Sequence, residues 1–231
     1  MNKELALDIR TDWFKKYLKQ WKGIIRPDFE KAFENPAEDK QILMDSIKRF
    51  TFTMLNYVGF YLCLFLIGYR YYSALNEQMV LGYTKKGITG LGTYLNLYPF
   101  NVIYLVFALI LTVGFLSIFT YLFLVYLEDV KPSFIKNLSA ILNSVALVNV
   151  LLFPFLLINA LFPFDKPIGT FGLGVYVGAL ILVLAVGFVY SAVIYIRSMH
   201  WSSRQNYRRA LLAWIVSFGM ILFFVSRILG K

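Results

Sequence analysis

This chain holds one cysteine and one histidine, and no charged residue lies in the central part of any of its five long apolar runs. Each scarcity removes a class of chemistry. The lone thiol, Cys63, has no second cysteine for a disulfide and no ligand set for a metal, so it reads as a small apolar filler in the first run. The lone imidazole, His200, makes neither a metal site nor a Ser-His-Asp triad, and reads as an ordinary interfacial residue. Intramembrane charge marks proton relays, ion paths and coupled carriers, and its lack weighs against them. No G-x-S-x-G, H-E-x-x-H or phosphate-binding glycine loop occurs. Paired aspartates, or serine with histidine, are also missing from the runs, which leaves no intramembrane protease chemistry. A protein without catalytic residues, cofactor or metal is expected. The first fifty residues have no apolar core of signal-peptide type, so the first run is expected to serve as an uncleaved signal anchor.

What the chain does have is hydrocarbon. Apolar residues make up 59% of it and charged residues 16%, against about 25% charged in soluble domains. The uncharged runs are Phe52–Tyr69, Val102–Leu127, Leu138–Phe164, Ile168–Ile196 and Ala210–Ser226. A helix needs about 20 apolar residues to cross a bilayer core of about 30 Å. The fold class is therefore all-α, a polytopic membrane helix bundle of five transmembrane helices with an N-terminal cytoplasmic amphipathic helix. Residues 1–51 form the cytoplasmic segment leading into the first span, and residues 52–231 the five-span domain.

The net charge of +10 raises the question of nucleic acid, and its distribution answers it. With the N-terminus inside, cytoplasmic segments hold 17 of the 23 Lys and Arg residues and outer segments 6. The positive-inside rule then predicts N-terminus in and C-terminus out. Nine of the thirteen acidic residues also lie in the first 51 positions. That segment is zwitterionic, no nucleic-acid arm, and suits a surface beside anionic lipid headgroups.

Within it, Trp13, Phe14, Tyr17, Leu18, Trp21, Ile24 and Ile25 recur at helical spacing, with Lys15, Lys16, Lys19, Lys22 and Arg26 between them. Such a helix either lies in the membrane interface or packs on the protein's own cytoplasmic surface. Asn35-Pro36-Ala37-Glu38 then carries helix-start signals. One long helix is expected from there through the first span to Tyr72, with Lys48 and Arg49 at the cytoplasmic end and Arg70 at the outer end. Residues 73–99, punctuated by Gly82, Gly87, Gly90, Gly92 and Pro99, read as a half-apolar connection resting on the outer face as a cap or as a lid.

The third span carries Asn143, Asn149 and Asn159 around an interior Pro154. Proline removes a helix hydrogen bond and kinks the chain, and each amide needs a partner in lipid. The amides are either helix–helix bonds or a polar track lining a cavity. In the fourth span Gly174-x-x-x-Gly178 and Gly187-x-x-x-Ser191 line up small residues that let helices approach closely, whether within the chain or in a homo-oligomer. Between the last two spans, Trp201, Arg204, Tyr207, Arg208 and Arg209 form a basic aromatic loop. It either contacts lipid phosphates or an acidic partner, or only sets topology. Together with Trp13, Trp21 and the four lysines of the first helix, it makes one cytoplasmic surface for membrane lipids or a protein partner.

The order of a cytoplasmic segment with Arg26-Pro27-Asp28-Phe29 and Phe33, five closely spaced spans, and a last hairpin joined by Tyr195-Ile196-Arg197 through Tyr207-Arg208-Arg209-Ala210 resembles the Yip family (Ypt-interacting membrane proteins), in particular its short bacterial branch. The resemblance covers roughly residues 24–228. It implies a membrane-organising or trafficking-type adaptor, and a bacterial inner membrane as location. The longer cytosolic tail and the Asp-Leu-Tyr-Gly-Pro-type motif of eukaryotic members are absent from this sequence, so small-GTPase binding does not carry over. The competing reading is a small permease or channel for an uncharged or lipid-like solute, or an accessory subunit of a larger membrane complex. A continuous cavity lined by the three asparagines would favour transport, and amides bonded helix to helix would remove the case.

Overall fold

The computed structural model describes residues 3–27, 39–85, 87, 90–127, 133–161 and 170–229. Every regular element among them is helical: α1 (Lys3–Ile25), α2 (Asp39–Ile67), α3 (Tyr69–Lys85), α4 (Leu91–Asn96), α5 (Val102–Leu127), α6 (Phe134–Leu161), α7 (Thr170–Ser203) and α8 (Tyr207–Leu229). Five of these, α2, α5, α6, α7 and α8, are long and apolar enough to cross a membrane. The 26 residues of α5 extend about 39 Å at 1.5 Å per residue.

Helix α6 is the hub. It packs along α2, α7 and α5, while α8 closes the far side against α5 and α7. The core gathers Leu116 and Leu124 of α5, Ile141 of α6, Tyr195 and Met199 of α7, and Trp214 of α8. Outward-facing residues are equally apolar: Phe107 (59% exposed), Leu182 (64%) and Val189 (61%) stand on the outside of the bundle. A continuous coat of this kind is uncommon on a water-soluble monomer and is what a lipid solvent asks for.

With no hydrophobic drive between helices in lipid, buried polar bonds and close packing hold the bundle. Asn137 is the clearest case. It is fully buried, and its Nδ2 donates to the Ser117 carbonyl at 2.8 Å and to Thr120 Oγ1 at 3.0 Å. Its Oδ1 accepts from the Tyr195 hydroxyl at 2.9 Å. One amide thus joins α5, α6 and α7. Ser144 Oγ donates to the Ser191 carbonyl at 2.9 Å, a second bond between α6 and α7. At one end Asp39 accepts from Ser133 Oγ at 2.7 Å and pairs with Lys136 at 3.7 Å, aligning the starts of α2 and α6.

Several expectations need correction. The first spanning helix does not run on to Tyr72. It turns at Gly68, and the chain re-enters helix as α3 through Lys85, so most of the expected 73–99 connection is helical. Helix-type bonds flank this one-residue break, with the Gly68 N–H donating to the Leu64 carbonyl and the Tyr72 N–H to the Gly68 carbonyl. A Cβ at Gly68 would meet the Tyr72 ring at 3.0 Å. The basic loop shrinks likewise: α7 continues to Ser203, and only residues 204–206 separate it from α8. Cys63 is exposed on α2 and fills no core space. The helix-start signals at Asn35, Pro36 and Glu38 lie outside the described residues, as does Phe29.

Candidate functional site

Aromatic side chains seat α1 on the bundle. The Trp21 ring packs edge-on against Phe52 of α2 at 5.5 Å and Phe153 of α6 at 5.7 Å. The Tyr17 hydroxyl donates to Asn56 Oδ1 of α2. Ile24 is 5% exposed, and Tyr190 of α7 donates to the Ile25 carbonyl at 2.7 Å.

This seating turns Lys16 and Lys19 of α1 toward Lys48 and Arg49 of α2. The four cations line one groove of about 430 Å³, floored by Ile24 and Phe52. Among the described residues no carboxylate lines it. Asp45 pairs with Lys48 at 3.4 Å from outside the lining, and both side chains are more than half exposed. Arg49 is fixed from behind: its Nη1 donates to Asn143 Oδ1 at 3.5 Å, and Asn143 Nδ2 donates to Ser46 Oγ at 3.0 Å. A guanidinium bonded to Asn143 beside three ammonium groups, over an apolar floor, suits an anionic headgroup with its attached hydrocarbon.

The expected surface residues therefore divide. Lys16 and Lys19 join the groove, Trp21 anchors the helix that carries them, and Lys15 and Lys22 are exposed outside its lining. The side chain of Trp13 lies outside the described residues. Trp201, Arg204, Arg208 and Arg209 are exposed at the α7–α8 turn. Arg204 sits there at φ 53°, in the left-handed region, which reverses the chain. His200 stacks on Tyr207 at 4.0 Å and its Nδ1 meets the Gln205 carbonyl at 3.0 Å. Asn206 Oδ1 accepts from the Arg208 N–H at 3.0 Å and caps α8. Lys48 and Arg49 carried a readable signal, two adjacent cations at the edge of an apolar run. Their partnership with α1 did not, because it depends on how a separate helix docks.

Of the three intramembrane asparagines, Asn143 and Asn149 reach across to α2, while the Asn149 Oδ1 is buried with no hydrogen-bond partner among the described residues. Asn143 is bonded as above, and Asn149 Nδ2 donates to Thr53 Oγ1 of α2 at 3.2 Å. Pro154 is exposed on another part of α6, and the side chain of Asn159 lies outside the described residues. The small-residue faces also separate. A Cβ at Gly187 would meet Leu151 Cδ1 at 3.2 Å, whereas Gly174 and Gly178 have no atom within 4 Å of that position. Ser191 is buried. Within this chain close approach therefore belongs to Gly187 and Ser191, and Gly174 and Gly178 lie on an exposed face, which leaves the homo-oligomer contact as the remaining reading for them.

A second cavity, of about 260 Å³, lies toward the other end of α2, where α3 and the turn before α5 fold back. Its wall is phenolic: Tyr57, Tyr61, Tyr71, Tyr72 and Tyr98, with Asn101 beside them. Asn76 of α3 pins this turn, donating to the Tyr98 carbonyl and accepting from the Tyr98 N–H, both at 2.9 Å. Burial, and then the neighbouring tyrosines, raise the Tyr98 phenol above its ordinary pKa, with the Asn101 amide opposing. Burial and Tyr71 do the same for Tyr72. Both hydroxyls therefore remain donors at neutral pH.

No family model, curated protein or solved structure matches this chain.

Proposed function

We propose that this integral membrane protein is a non-enzymatic, membrane-organising adaptor that holds an anionic lipid headgroup in the α1–α2 groove on its cytoplasmic side. The observation that carries the reading is the convergence of Lys16, Lys19, Lys48 and Arg49 on one groove with an apolar floor. The cation asymmetry supports the cytoplasmic assignment, and the resemblance to the Yip family supplies the adaptor role. Arg204, Arg208 and Arg209 extend the same leaflet contact. The adaptor reading is favoured over a permease because the Asn143 amide and the Asn149 Nδ2 bond to α2.

The test is native mass spectrometry of the full chain with phosphatidylglycerol and phosphatidylcholine offered equally. Cations at an anionic leaflet contribute about 1 kcal/mol each, about fivefold in affinity. Lys16→Gln with Lys19→Gln should lower phosphatidylglycerol retention about 25-fold and flatten its salt dependence, with the five spans still inserted. Retention that is equal for both lipids and indifferent to salt in the wild type overturns the proposal.

A further inference from the structure

The tyrosine-lined cavity is independent of the basic groove. Tyr61 follows Arg49 by twelve residues on α2, about 18 Å of helix. No Lys, Arg, Asp or Glu among the described residues lines the cavity, so it offers nothing to select a charged headgroup. It offers hydroxyls and an amide. Tyr61 donates to Asn101 Oδ1, which orients that amide, while the hydroxyls of Tyr57 and Tyr72 have no hydrogen bond to a described residue. Asn76 holds the Tyr98 backbone from both sides, so the wall is built before a ligand arrives.

Ring orientation narrows the chemistry. Tyr61 stacks on Tyr98 at 6.1 Å and 12°, and Tyr57 on Tyr61 at 6.5 Å and 27°. Tyr72 lies 4.7 Å from Tyr98. Near-parallel rings at these distances are offset, with their edges and hydroxyls bordering the space beside them. A cage for a quaternary ammonium needs several faces turned to one centre, which a near-parallel row does not give. Leucines interleave with the tyrosines in the lining: Leu64, Leu75, Leu105 and Leu156. At about 260 Å³ the space is just below the roughly 300–1,000 Å³ of drug-sized sites and suits one ring-sized group.

We infer that this cavity binds a single neutral, hydroxylated ring, a hexose, with the tyrosine hydroxyls and Asn101 meeting its hydroxyls and the interleaved leucines its C–H faces. The sugar comes either free or as the headgroup of a glycolipid. The experiment uses the full chain in a polyoxyethylene-ether micelle, which carries neither sugar nor choline. Monoglucosyl-diacylglycerol, diacylglycerol and phosphatidylcholine of equal chain length are offered together, and retention is read by native mass spectrometry. The glucosyl lipid should be retained at least tenfold over the other two. Tyr57→Phe with Tyr72→Phe, which keeps both rings, should remove that preference without lowering the melting temperature. Leu75→Trp, on the peripheral α3, fills the cavity and should remove it too, which keeps the test valid if the double variant folds poorly. Competition by free glucose identifies a free-sugar site, and retention of the glucosyl lipid that free glucose leaves unchanged identifies a glycolipid site. Both outcomes support the inference. Equal retention of the three lipids, a preference for phosphatidylcholine, or a preference that survives both variants overturns it.

Discussion

Gly187 and Gly178 share α7 and meet opposite surroundings. Overpacking costs about 1–3 kcal/mol where neighbours cannot move apart. Gly187→Val should therefore lower the melting temperature in detergent, because its Cβ already crowds Leu151. Gly178→Leu should leave it unchanged, since nothing stands within 4 Å of a Cβ there. A drop for Gly178→Leu would point to a second copy covering that face. Asn137 is the other decisive residue. Asn137→Leu takes the Oδ1 acceptor from the buried Tyr195 hydroxyl, and an unmet buried group costs about 1–3 kcal/mol. Combining it with Tyr195→Phe should cost less than the two single changes added, as expected for residues sharing one network. Thermal melts of the single and double variants check this. Neither Asn137 nor its partners stand out in the sequence beside Asn143 and Asn149, because an amide announces its need for a bond and not the helix that meets it.

Among the described residues, helix α1 is held largely by side chains, with Trp21 against Phe52 and Phe153 at the centre, so its docking should be separable from the bundle. Trp21→Ala removes the rings' contact with Phe52 and Phe153. Trypsin cleavage after Lys15, Lys16, Lys19 and Lys22 should then rise at least several-fold, with the spans still intact. An unchanged rate would mean that the membrane surface, and not the bundle, protects the helix. That residues 13–25 form a helix was legible from their spacing, yet the spacing did not decide between docking on the bundle and lying in the interface. Helix α3 was not legible as helix: the glycines of residues 73–99 suggested a loop, while Gly82 in fact sits exposed within the helix at a cost of about 1 kcal/mol. Tertiary contacts such as Asn76 with Tyr98 outweigh that.

Five spans are an odd number, and the cations are unequal on the two sides. A reporter fused after Lys231 should therefore read as outside the cytoplasm and one before Met1 as inside. A cytoplasmically active C-terminal reporter would reverse the placement of the basic groove. The parallel pairing of α2 with α6, seen in Ser46 with Asn143 and Thr53 with Asn149, agrees with two helices entering from the same side.

Solvent, class and span number follow from local composition. A run of about 20 apolar residues must be a helix in lipid, since no other single segment satisfies its own backbone there. That Asn143 braces Arg49, that Gly187 meets Leu151 while Gly178 meets nothing, and that Lys16 and Lys19 share a groove with Lys48 and Arg49 are matters of relative helix rotation and docking. In lipid every face of an apolar helix looks alike to hydropathy. Only the packing of side chains between helices selects which face turns inward, and the groove and the tyrosine cavity exist only once that selection is made.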